Sequence, residues 1–195
     1  MKKSFIFILL AMSINAIAQK EAYIWYFGNQ AGLDFNTTPP TVLTNSAMNQ
    51  FEGCSSIADN NGSLLFYTNG ATIWNKNHLT MANGTGLSGA SSATQAALIA
   101  PQPGNPGIYY VFCTDQQLGL NGFTYSVVDI TQNGGLGAVT IKNQPIFTPS
   151  TEKVTACNNA NSQDMWIITH GWGNNNWLAY NLTASGFNTT PVSSS

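Results

Sequence analysis

The chain reads as short apolar runs separated by clusters of Asn, Gly, Asp, Pro and Ser. Runs of this length, rich in β-branched and aromatic residues and bounded by turn formers, predict strands rather than helices. Residues 54–58 lead into Asp59-Asn60-Asn61-Gly62, where Asn and Gly accept the positive φ of a tight hairpin. The chain returns over residues 64–68, turns at Asn69-Gly70 and leaves over residues 72–75, a three-stranded meander. The plan recurs over residues 96–100, 108–114 and 123–130, with a fourth strand at 139–142, and again over 153–157, 165–169 and 177–182. Upstream, residues 23–28 and 32–35 read as two further strands.

Three of these runs end in threonine followed by a polar residue: Tyr67-Thr68-Asn69, Cys113-Thr114-Asp115 and Ile168-Thr169-His170. Their threonines lie 46 and 55 residues apart. The phrase Phe-Asn-Thr-Thr-Pro occurs twice, from Phe35 and from Phe187, and the interval has room for three repeats. A period of about 40 to 50 residues built from short strands is that of a β-propeller, whose blades bury their faces only by stacking on one another. The expected fold is all-β and propeller-like, with about three blades in repeat units of about residues 54–90, 94–147 and 152–195. Since propellers close with about four to eight blades, the chain reads as an incomplete, truncated propeller.

Lys2 and Lys3, an apolar stretch over residues 5–14 and Ala16-Ile17-Ala18 form a secretion leader, so residues 1–18 are expected to be removed. Residues 19–195 then form the single partial domain, without an apolar stretch of the roughly 20 residues that a spanning helix needs. The expected location is outside the cytoplasm, extracellular or at the cell surface. All six basic residues are lysines and two lie in the leader, which leaves four against eight carboxylates. Without arginine or a basic cluster, nucleic acid is excluded as a partner.

Cys54, Cys113 and Cys157 form an odd set, each within an apolar run where a free thiol behaves as a small hydrophobe, so no structural disulfide is expected. No Cys or His pair has zinc-ligand spacing, and neither a metal nor any other cofactor is expected. Asp59-Asn60-Asn61-Gly62 lacks the spacing and closing Glu of a calcium loop and reads as a hairpin turn. Glu52 and Glu152 each precede an innermost strand, the place where a propeller hydrolase would hold its carboxylate pair; the plainer reading is a solvated strand start. His78 and His170 have no nucleophile motif beside them, and no catalytic residue is assigned. Tryptophan beside amides is how proteins stack on sugar rings, so Trp172, flanked by glycines, is the candidate ligand contact together with Asn174 and Asn175. Trp166, in a strand, is expected in the core.

The segments Trp25-Tyr26-Phe27-Gly28-Asn29-Gln30-Ala31-Gly32, Phe51-Glu52-Gly53-Cys54-Ser55-Ser56, Leu64-Leu65-Phe66-Tyr67-Thr68-Asn69-Gly70 and Trp74-Asn75-Lys76-Asn77-His78 resemble the N-terminal region of large Bacteroidetes surface proteins. Those proteins often carry PKD-like repeats and a C-terminal gliding-motility-associated or type IX secretion sorting domain. The resemblance covers nearly all of the chain after the leader and implies a propeller-type module on a secreted or surface adhesin, with the remainder of the parent polypeptide as a partner. It assigns no catalytic residues. The expected function is therefore non-catalytic binding or adhesion, toward an extracellular glycan or protein. The alternatives are a secreted propeller-fold glycan hydrolase and a purely structural spacer.

Overall fold

The computed structural model describes residues 20–195, so the expected leader lies outside the described residues. The fold is all-β. A first, three-stranded antiparallel sheet holds β1 (Ile24–Phe27), β2 (Ala31–Asp34) and β3 (Thr41–Leu43). A first meander follows with β4 (Ser55–Ala58), β5 (Leu64–Thr68), β6 (Thr72–Asn75) and β7 (Thr80–Thr85). The second meander holds β8 (Ala97–Pro101), β9 (Ile108–Thr114), β10 (Phe123–Asp129) and β11 (Ala138–Phe147). The last sheet holds β12 (Ser150–Asn158), β13 (Met165–Gly171) and β14 (Trp177–Thr183), with β15 (Gly186–Phe187) and β16 (Val192–Ser194) both paired to β14. The turn at Gln132–Gly135 is no regular helix, because Asn133 and Gly134 have φ of 52° and 66°.

One parallel bridge, Ala82 to Ala138, joins the outer strands of the two meanders into an eight-stranded sheet ordered β4-β5-β6-β7-β11-β10-β9-β8. Its terminal strands β4 and β8 also touch, so the sheet is nearly closed and barrel-like.

Three apolar layers fill the spaces between successive sheets. Ile24, Tyr26, Met48, Ala58 and Tyr67 lie between the first sheet and the first meander. Phe66, Ile73, Met81, Val111 and Cys113 lie between the two meanders. Tyr110, Phe112, Phe123, Ile167, Tyr180 and Leu182 lie between the second meander and the last sheet. Because side chains alternate across a pleat, β9 sends Val111 and Cys113 one way and Tyr110 and Phe112 the other. A strand buried on both faces loses its polar alternation, which is why β5 and β9 read as unbroken apolar runs. Phe66, Tyr67, Phe112 and Phe123 are wholly buried, and burial of one such side chain contributes roughly 1.5–3 kcal/mol.

The two meanders meet backbone to backbone at Gly53. A Cβ there would fall 2.1 Å from the Ala96 nitrogen, and the Gly53 N–H donates to the Ala93 carbonyl at 3.1 Å. Buried Gln50 locks the junction, its Nε2 donating to the Gly53 and Ser91 carbonyls.

Three features depart from the pattern read in the sequence. Strand β7 contains Asn83 at φ 57° followed by Gly84, poor strand formers held only because Met81 and Gly84 face the core. The sequence pattern offers no strand after residues 177–182, whereas β16 pairs with β14, Val192 opposite Ala179 and Ser194 opposite Trp177. Thr169 is out of phase with its counterparts. Thr68 and Thr114 share their faces with Phe66 and Phe112, turned toward the following sheet, whereas Thr169 shares its face with Ile167, turned toward the preceding one.

Candidate functional site

The first residue of each inner strand pairs near the end of its neighbour: Ser55 with Thr68, Ala97 with Cys113, Ser150 with Gly171. Strands β4, β8 and β12 therefore start at one end of the stack. The loops that enter them and the loops that leave β5, β9 and β13 form a common rim there. Phe51 is 87% exposed on this rim, Leu118 60% and Leu120 95%, and Trp177, opening β14, is 52% exposed. The opposite end carries hairpin turns such as Asp59-Asn60-Asn61-Gly62, in which Asp59 Oδ1 accepts from the N–H groups of Asn61 and Ser63. Leu79 is a large apolar side chain exposed on that side.

The β13–β14 loop is organised by Asn174. Its Nδ2 donates to the Trp172 carbonyl at 3.2 Å and its Oδ1 accepts from the Asn176 N–H at 2.8 Å. Asn174 and Asn175 are exposed, but Trp172 is half-buried and its backbone N–H donates to the Pro149 carbonyl. The ring available to solvent is Trp177, set edge-on to His170 with centroids 4.8 Å apart. Pairing marks it in advance: Leu178 and Tyr180 of β14 turn inward, so Trp177 turns outward with its cross-strand partner His170. Trp166, on the same outward face, is half-buried rather than core.

Glu152 is a tie between loops. Its Oε2 accepts from the Thr94 N–H at 2.9 Å and the Thr94 hydroxyl at 2.8 Å, and its Oε1 accepts from the Gln117 N–H at 2.9 Å. The Thr94 N–H, followed by the Thr94 hydroxyl, the Gln117 N–H and nearby Lys153, holds this carboxyl below the usual glutamate range against a partial burial penalty. Glu52 is exposed on the same rim. Asp115, nearly buried, is engaged in the same way, its Oδ2 accepting from the backbone and side-chain N–H groups of Asn121.

His78 lies at the far end, in the β6–β7 turn at φ 61°. Its Nδ1 is 3.2 Å from the Tyr67 hydroxyl and its Nε2 is 2.8 Å from Asn45 Nδ2, while Asn45 Oδ1 accepts from the Tyr26 hydroxyl. Burial pushes the imidazole below its ordinary range, so it rests neutral in this ring of partners. The two histidines belong to different sheets.

All three cysteines are free. Cys113 is wholly buried and its thiol is pushed up to about 12, Cys54 is half-buried, and Cys157 is exposed on β12 rather than packed inside. Among the described residues no three His, Cys, Asp or Glu side chains are placed to share a metal ion, and no helix is long and apolar enough to cross a membrane. Compared with known proteins, the chain matches no family model, no curated protein and no solved structure.

Proposed function

We propose that this chain is a propeller-like, exported binding module of the Bacteroidetes surface-protein type, which holds an extracellular glycan or protein through its rim loops without catalysis. Support for the blade reading comes from the stacking itself. Each meander buries both faces, and β4, β8 and β12 start from one end and lie next to one another. The observation that carries the binding reading is the asymmetry of the two ends. Phe51, Leu118 and Leu120 stand out on one rim, and Trp177, at the same end on the outward face of the last sheet, follows the exposed amides Asn174 and Asn175 of its own loop. Aromatic and aliphatic surface beside amides suits the apolar face and hydroxyls of a sugar, or an apolar peptide side chain.

The hydrolase reading is weaker because Glu152 accepts three hydrogen bonds and is held ionised, the opposite of what a general acid requires. The test is titration of a glycan and peptide array with the wild-type chain, Trp177→Ala and the Leu118→Ser/Leu120→Ser double variant. Binding that falls at least tenfold in the variants with unchanged circular dichroism supports the module. Turnover of any array glycan that is lost in Glu52→Gln/Glu152→Gln overturns it.

A further inference from the structure

We propose that Asn133-Gly134 is a self-modification site, the Asn-Gly pair at which the folded chain first loses a side-chain amide and gains an acidic residue. Asparagine is a thermolabile residue, and before a glycine its amide is open to attack, because no Cβ stands over the approach. The glycine backbone nitrogen attacks Cγ of the asparagine. The new N–Cγ bond forms, that nitrogen gives up its proton, and the side-chain amide leaves as ammonia. Water then opens the cyclic imide at either carbonyl. One opening yields aspartate, and the other yields isoaspartate, whose main chain runs through the former side chain. Water is the single co-reactant.

The chain has five Asn-Gly pairs, beginning at Asn61, Asn69, Asn83, Asn121 and Asn133. The fold treats them differently: the glycine is buried in the first four and exposed at Gly134. Gly62 N–H donates to the Asp59 carbonyl at 2.8 Å, and the Gly62 carbonyl accepts from Asn36 Nδ2 at 2.9 Å. Gly70 N–H donates to the Thr68 hydroxyl, while Asn69 Oδ1 accepts from the N–H groups of Ala71 and Thr72. Asn83 Nδ2 donates to the Val139 carbonyl and Asn121 Nδ2 to Asp115 Oδ2. In the β10–β11 turn, Asp129 holds Thr131 and Gln132, but the exposed Asn133 side chain has no hydrogen-bond partner among the described residues. Nothing lies within 4 Å of where a Cβ on Gly134 would stand. Ring closure requires the Asn133 ψ to leave its 44°, which opens the two bonds that close this turn, Leu136 N–H to the Asn133 carbonyl at 3.3 Å and Gly137 N–H to the Gln132 carbonyl at 3.0 Å. At the other four pairs a buried glycine must also be uncovered, and such local opening lowers the reactive population. Strand β10 starts at the rim, Phe123 opposite Thr114, and ends with Asp129 opposite Ile108, so the site lies at the end away from the rim loops. It is therefore independent of glycan or peptide binding.

The test follows the wild-type chain through prolonged warm incubation in mildly alkaline buffer, by ion-exchange chromatography and by tandem mass spectrometry of peptic digests. The first acidic species should carry its change at Asn133 and form about tenfold or more faster than a species changed at any other Asn-Gly pair, the rate equivalent of about 1.4 kcal/mol of local opening. Asn133→Gln should remove that species and leave the circular dichroism spectrum unchanged. In guanidinium chloride, where the fold no longer shelters any glycine, the five pairs should react at similar rates. The isolated isoaspartyl product should exchange the Leu136 and Gly137 amide protons faster than the starting chain, since its lengthened backbone no longer closes the turn. Earlier change at Asn61, Asn69, Asn83 or Asn121, an acidic species that forms equally fast in Asn133→Gln, the same ranking in guanidinium chloride, or unaltered exchange in the product would each overturn it.

Discussion

Replacing Glu152 with glutamine keeps the side chain's shape and removes its charge. The amide oxygen can still accept both hydrogen bonds from Thr94, but the NH2 group then meets the Gln117 N–H, and that bond is lost. A hydrogen bond to a charged group is worth about 1.5–3 kcal/mol when shielded, and solvent access here reduces the total loss to about 1–2 kcal/mol. For a chain of this size that lowers Tm by roughly 2–8 °C at pH 7. The sign with pH follows from the depressed carboxyl. The stabilisation is present above the ordinary glutamate range and is lost as pH falls through the lower value of the folded state. Thermal unfolding followed by circular dichroism at pH 7 and pH 3 should therefore show the variant well below wild type at pH 7, with the gap closing at pH 3. Equal Tm values at pH 7, or a gap that pH does not change, would refute the loop-tie assignment.

Phe112→Ala empties a wholly buried site shared by two sheets and should cost about 3–5 kcal/mol in urea unfolding; a loss under 1 kcal/mol would contradict the shared core. His78 is depressed by burial, so stability should be full above its ordinary value and decline as pH drops below it. His78→Asn, which tolerates the left-handed turn, should remove that decline between pH 7.5 and 5.5. A disulfide-exchange reagent should titrate Cys157 at once and Cys113 only after denaturant is added; immediate reaction of all three thiols would show that the middle layer is open.

The strands easiest to read in the sequence are those whose environment is local. Strands β5 and β6 are flanked by Asn-Gly turns, and their apolar runs are long enough to identify without knowing what covers them. Strand β7 was not legible, because Asn83 and Gly84 are strand residues only by virtue of Ile73 and Met81 packed beside them. The repeat of threonines found the right three strands but not the right phase. A pleat reverses with a one-residue slip, and nothing near Thr169 reports which neighbour it faces. Exposure of Trp177 rather than Trp172 was hidden similarly, since glycines flank the half-buried ring and a strand holds the open one. The partners of Glu152 are 58 and 35 residues distant, beyond any local pattern.

The shared layers also constrain how such a chain can change length. A sheet excised from the middle would leave Phe66 or Phe112 facing a surface shaped for a different neighbour, whereas an added sheet must bring both a face to offer and a face to receive. Duplication and loss in this lineage should therefore proceed in whole meanders, cut at the rim loops. Substitutions at one layer should be matched by changes in the sheet across from it sooner than by changes elsewhere in the same sheet.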